Sequence, residues 1–142
     1  MTVATNSGKA VPQPTPDTRP FWDGAAEGRL RLPRCRDCAA VFFYPRSICP
    51  TCWSSDLEWF DASGRGRLHS YLIAHRPSPG FEDEVPYAVA VVELEEGPRL
   101  MSNVVGVPND PEHLVLDMEL EVVFDKHGDV AVPKFQPKGS QR

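Results

Sequence analysis

Apolar and polar positions along the 142 residues fall into three regimes. In residues 1–17 nothing apolar clusters, and Pro12, Pro14 and Pro16 alternate with small polar residues, which predicts a disordered arm. Thr18-Arg19-Pro20-Phe21-Trp22 then supplies a cap and an early proline, and Gly28 a stop, so a short helix is predicted between them. Its Phe21 and Trp22 need a surface to cover them, on this chain or on a partner. Residues 30–60 show little periodicity, with short strands predicted at 30–32, 41–44 and 57–60. Beyond Gly64-Arg65-Gly66 the pattern becomes strand-like at 67–75, 87–94, 100–105, 119–125 and 130–133. Alternation is clearest where Leu120, Val122 and Phe124 share one face. Five short strands predict a small antiparallel barrel or sandwich, with one helical turn expected in 108–116. The divisions are an arm at 1–17, a helix with a cysteine-bearing segment at 18–62, a β domain at 63–136 and a tail at 137–142.

Composition refines this picture only slightly. With 41% hydrophobic and 25% charged residues the chain has the make-up of an ordinary globular protein. No uncharged run approaches the ~20 apolar residues that cross a bilayer, so no membrane span is predicted. The first residues lack a basic and an apolar region, and a cytoplasmic address is expected. Charge is uneven. Residues 19–76 carry nine Arg against six acids, whereas 77–142 carry five bases against thirteen acids. A net charge of −5 argues against nucleic acid as the main partner, because that binding rests on phosphate neutralisation. The basic half suits a small phosphorylated ligand.

The chemistry concentrates in four cysteines. Cys35 and Cys38 form one C-x2-C, Cys49 and Cys52 a second, ten residues apart. Each pair can form a knuckle that aims two thiolates at one point, and two knuckles complete a tetrahedron. Four sulfur ligands describe a closed, structural Zn²⁺ site. Disulfides are disfavoured in a cytoplasmic chain, and a thioredoxin-like site needs a βαβ setting that is missing. Iron in the same thiolates, as in an electron carrier, stays open on ligands alone. Arg34, Arg36 and Arg46 are expected to offset the charge of the thiolates.

Phe21-Trp22, Gly28-Arg29-Leu30, the two C-x2-C pairs, Phe43-x-Pro45-Arg46 and Gly64-Arg65-Gly66 form an ordered series, extended by Pro86-Tyr87, Glu95-Glu96-Gly97 and Pro133-Lys134-Phe135. The series resembles the Zn-ribbon/OB-fold proteins known as domain-of-unknown-function 35. The resemblance implies a mainly β fold: an N-terminal helix, a rubredoxin-like zinc ribbon and a five-stranded OB-fold barrel. It implies Zn²⁺ on Cys35, Cys38, Cys49 and Cys52. It also implies a hetero-oligomeric accessory role beside thiolase-like or MaoC-type acyl-CoA enzymes, including an aldolase that cleaves a steroid side-chain CoA thioester. In that role the ribbon and helix would dock on the enzyme, and Arg65, Arg67 and Arg76 would meet the phosphates of acyl-CoA. Where many relatives have glycine, this chain has Ala39 and Trp53, at turn positions that favour a left-handed backbone, and Asp117, in the turn before the fourth strand.

No catalytic constellation is evident. His69 and His75 are expected on one face of the first barrel strand with Tyr71 and Ile73, as ordinary packed or surface residues. No nucleophile elbow or phosphate loop occurs, and Gly64-Arg65-Gly66 reads as a flexible strand entry. The Glu82-Asp83-Glu84 run reads as a solvated loop. Two other classes compete with an accessory subunit. One is a single-stranded nucleic-acid binder stacking bases on Tyr71, Phe81 and Tyr87; the other is a rubredoxin-like electron carrier.

Overall fold

The computed structural model describes residues 12–139. Part of the expected arm, 1–11, and the last tail residues, 140–142, lie outside them. Thr15 and Thr18 close a turn ahead of the helix: the Thr15 N–H donates to Thr18 Oγ1 at 2.9 Å, and the Thr18 N–H to the Thr15 carbonyl at 3.0 Å. Helix α1, Arg19–Ala26, follows, with proline in its first turn. It buries Phe21, Gly24 and Ala25. The ring of Phe21 meets Trp22 edge-on at 4.8 Å and Phe43 at 5.4 Å, so this chain's own ribbon covers it.

Strands β1, Arg31–Cys35, and β2, Leu57–Asp61, pair antiparallel as the base of the ribbon. The strand predicted at 41–44 does not form; only Val41 bridges to Arg34. Pro33 accepts from the Phe42 N–H at 3.4 Å but has no N–H to return, so the ladder cannot extend.

Strands β3 (Arg65–Ala74), β4 (Tyr87–Leu94), β5 (Arg99–Ser102), β6 (Glu119–His127) and β7 (Val130–Pro137) make one antiparallel sheet in the order β5-β4-β3-β6-β7. The sheet curls until the segment after β5 meets β7 in parallel. The Phe135 N–H donates to the Asn103 carbonyl at 3.0 Å, and the Val105 N–H to the Phe135 carbonyl at 2.7 Å. That order and closure are those of the expected OB-type barrel. The connection between β5 and β6 carries the expected single helical turn, in which the Leu114 N–H donates to the Asp110 carbonyl at 3.0 Å and Leu114 is buried against the barrel. Strand β7 runs into the predicted tail, where the Lys138 N–H reaches the Glu119 carbonyl at 3.0 Å.

Two local features depart from the sequence pattern. A bulge at His69 shifts the β3–β4 register, so His69 and Ser70 both face outward while Tyr71 packs on the core; His69 therefore does not share a face with Tyr71 and Ile73. Gly64 and Gly66 are not a flexible entry either. Gly64 is buried at φ +81°, and a Cβ on Gly66 would stand 2.8 Å from both the Glu93 carbonyl and a Val92 methyl. Gly66→Ala is expected to destabilise the chain by about 1–3 kcal/mol, since a backbone carbonyl of the paired strand cannot step aside cheaply. An unchanged denaturation midpoint would contradict that geometry.

One core serves both parts. Phe21, Leu30 and Leu32 join Leu68, Val92, Leu120 and Phe135 in a single buried cluster, while Cys35, Cys49 and Phe42 form a separate one at the ribbon tip. No helix among the described residues is long and apolar enough to cross a membrane.

Candidate metal centre

The two knuckles are built alike. In the first, the Ala39 N–H donates to the Cys35 carbonyl and the Cys35 N–H to Ala40, both at 2.9 Å. In the second, the Trp53 N–H donates to the Cys49 carbonyl at 2.9 Å and the Cys49 N–H to Ser54 at 2.8 Å. Each turn closes through a left-handed residue, Ala39 at φ 67° and Trp53 at φ 69°. Asp117, in the turn before β6, has φ 69°. The three positions at which the family resemblance leads to an expectation of glycine are thus the three non-glycine residues with positive φ among those described. An L-residue there costs roughly 1–2 kcal/mol.

The knuckles bring the four Sγ atoms within 4.8 Å of one another, with Cys35 to Cys52 at 3.5 Å and Cys38 to Cys49 at 3.6 Å. A tetrahedron of sulfurs around Zn²⁺ at about 2.3 Å has edges of about 3.8 Å. Backbone N–H groups support the sulfurs: Asp37 and Cys38 donate to Cys35 Sγ at 3.3 and 3.4 Å, and Thr51 to Cys49 Sγ at 3.3 Å. Burial acts to raise the Cys49 thiol, but the N–H groups of Cys52 and Thr51 and the neighbouring thiols outweigh it and bring it down to about 6. Cys52 goes the other way. The Ser54 N–H acts to lower it, yet Cys35, burial and the two remaining thiols prevail and push it up to about 12. Four sulfurs this close cannot all be thiolates unless a cation sits among them. The residues fit a metal ion.

The arginines around the centre are mostly engaged elsewhere. Arg34 Nε lies 2.7 Å from Glu58, and Arg36 reaches Asp56 at 3.1 Å and Glu58 at 3.4 Å. The Arg34 hydrogen bond, aided by Arg36, holds the Glu58 carboxyl below its usual value. Arg46 differs: its side chain donates to the Tyr44 carbonyl at 3.4 Å and has no carboxylate partner among the described residues.

The three arginines expected at acyl-CoA do not form one group. Arg65 and Arg67 border a cleft of about 380 Å³ at one end of the barrel, with Lys138 and with Glu93, Glu95 and Glu119. Three bases and three acids make the lining formally neutral. Arg65 is held by Glu95 through two hydrogen bonds, at 2.8 and 3.2 Å. Arg76 lies past the far end of β3, nine residues or about 30 Å of extended chain from Arg67. The aromatic platform is not assembled either: Phe81 and Tyr87 stack on each other at 4.7 Å, and Tyr71 faces the core.

Strand alternation misses another cluster. Lys134, 5% exposed, reaches Asp125 Oδ2 at 3.1 Å, and His127 Nε2 reaches the same oxygen at 2.9 Å. Alternation places all three on the solvent side of the β6–β7 pair; the loop carrying Phe81 then comes within 5.8 Å of the ammonium. Only that long-range contact could have signalled it.

A four-cysteine, rubredoxin-like ribbon sharing a core with an OB-type barrel defines the class: a ribbon/OB-fold protein whose candidate metal site is made by its own four sulfurs, two of them buried and two exposed. Two family models match, the rubredoxin-like zinc ribbon domain of ChsH2 at residues 22–58 and the C-terminal OB-fold domain of ChsH2 at 59–125. The chain is 42% identical over 113 residues to a DUF35 domain-containing scaffold protein of Methanothermobacter thermautotrophicus, covering 74% of this chain and 84% of that one. It is 38% identical over 122 residues to a probable enoyl-CoA hydratase alpha subunit of Thermomonospora curvata, covering 82% of this chain and 36% of that longer protein. Among solved structures it superposes on a chain of an Ltp2-ChsH2(DUF35) aldolase with a TM-score of 0.79 and 33% identity, covering 89% of this chain and 98% of that one. The chain belongs to the ChsH2, or DUF35, family of zinc-ribbon/OB-fold proteins.

Proposed function

We propose that this chain is a non-catalytic accessory subunit of a thiolase-like or MaoC-type acyl-CoA enzyme, braced by Zn²⁺ on Cys35, Cys38, Cys49 and Cys52. The observation that carries the reading is its superposition over nearly the whole of the DUF35 chain of an aldolase. The donor set supports it. Zn²⁺ among four sulfurs supplies a rigid staple and no open position for a substrate or water, so the centre serves folding and not turnover. The described residues pair no nucleophile with a base and an oxyanion pocket, as a self-sufficient enzyme needs. The lipid-transfer-type aldolase that cleaves a C–C bond of a steroid side-chain CoA thioester is the first partner to test. Arg65, Arg67 and Arg76 are the proposed contacts to the CoA phosphates. Arg67 and Arg76 lead them, because Arg65 is held by Glu95 and these two have no carboxylate partner among the described residues.

Coexpression with aldolase, thiolase and hydratase subunits, followed by copurification and metal analysis, tests the proposal. The lone chain is expected to be colourless, to hold one zinc and to turn over no acyl-CoA, while the copurified enzyme loses activity without it. Visible absorption of a ferric tetrathiolate would instead favour electron transfer. Turnover by the lone chain comparable with that of the complex, or salt-sensitive retention of an oligonucleotide, would overturn the reading.

A further inference from the structure

The equivalence of the two knuckles isolates one side chain. Position 39 and position 53 close the same turn with the same hydrogen bonds and the same left-handed backbone. At position 39 a methyl group suffices. At position 53 the chain carries an indole that is 79% exposed, so it adds neither burial nor a bond to the fold. A bulky residue in a strained conformation and in water is doubly unfavourable for the isolated chain. Its benefit lies outside this molecule.

The residues that precede Trp53 in the sequence say what kind of surface this is. Ile48, next to Cys49 in the same knuckle, is 45% exposed, and Tyr44, in the connection between the knuckles, is 46% exposed. Arg46 stands between them in sequence, with its side chain bonded to the Tyr44 carbonyl and to no carboxylate among the described residues. Arg34 and Arg36 are occupied by acids of this chain. Three exposed apolar side chains and one cation without a carboxylate, all within residues 44–53, complement an apolar pocket with a carboxylate at its rim, and tryptophan and arginine are the residues that dominate such contacts. The other exposed apolar residues, Leu72, Met101, Val115 and Leu116, carry no comparable strain.

We infer that the second knuckle is the docking face for the acyl-CoA enzyme subunit, with Trp53 as its apolar anchor and Arg46 as its charge contact. The inference rests on the accessory-subunit reading, narrows the expected ribbon contact to its second knuckle and adds the anchoring residue. It separates folding from binding at one position. Trp53→Gly relieves the backbone, so the variant is expected to melt at a higher temperature and to keep its metal. It is also expected to bind the enzyme subunit roughly thirtyfold or more weakly, the loss that marks an anchoring residue. Ala39→Gly, the matching change in the first knuckle, should raise the melting temperature and leave binding unchanged. Arg46→Glu should weaken binding and reduce its salt dependence.

Wild type and the three variants, each as the full chain, are titrated by calorimetry against the purified aldolase, thiolase and hydratase subunits of the coexpression experiment. Metal content and thermal melting are measured in parallel, and sedimentation of the lone chain reports self-association. If Trp53→Gly binds as tightly as wild type, the docking face is elsewhere, while the accessory reading stands. If wild type binds none of the subunits, both fall. If wild type alone dimerises and Trp53→Gly does not, the surface joins two copies of this chain, and the assignment to an enzyme subunit is overturned.

Discussion

Replacing Cys49 with serine is expected to release the metal and unfold the ribbon. Cys49 is fully buried, and its thiol is brought down to about 6 with the help of the backbone N–H groups, so it forms a thiolate readily near neutral pH. The serine hydroxyl stays neutral near pH 7 and cannot replace it as a ligand. Binding of a structural zinc contributes on the order of 10 kcal/mol, comparable with the 5–15 kcal/mol that holds a whole domain together. The buried cluster at the ribbon tip contains only Cys35, Cys49 and Phe42, far too little apolar surface to compensate. Metal analysis should find no bound ion, and near-ultraviolet dichroism should show the ribbon aromatics losing their fixed environment. A variant that stays metal-free yet keeps the wild-type melting temperature and its enzyme partner would remove the metal from any account of this fold.

Phe135→Ala is the second large effect. Phe135 is 0% exposed, its backbone makes both bonds that close the barrel, and its ring joins the buried cluster running from the helix to β4. Deleting such a ring costs about 3–5 kcal/mol, from lost transfer energy and the cavity left behind. The expected result is a large drop in denaturation midpoint with one cooperative transition, because ribbon base and barrel share that cluster. The metal should remain bound under native conditions, which separates this variant from the cysteine one. Two resolved transitions, one of them unmoved, would show that ribbon and barrel are stabilised independently.

The cysteine centre was legible in the sequence because its geometry is local. A C-x2-C turn places its two sulfurs by backbone conformation alone, and the second turn repeats the first. The left-handed positions at Ala39 and Trp53 could be named from resemblance to relatives with glycine there, and the backbone angles agree; at Asp117 the resemblance marked only a turn, and the structure adds its positive φ. Strand positions were legible for a similar reason, since alternation follows from the pleat.

Other features depend on which chain segments meet. The bulge at His69 shows in no alternation pattern, because it is set by how β3 must bend to pair with β4 and β6. The tight approach of Gly66 to Glu93 and the grip of Glu95 on Arg65 join residues about thirty positions apart. Lys134 reads as a solvent residue until another loop covers it.

The sequence by itself therefore determined the metal-binding turns, the short helix and the barrel strands, each the outcome of backbone preference and spacing within a few residues. Only the tertiary structure decided which cations are free and which are already neutralised, and that Trp53 projects into solvent while Phe21 is covered. Charge pairing and burial are relations between distant segments, and they take a value only once those segments stand side by side.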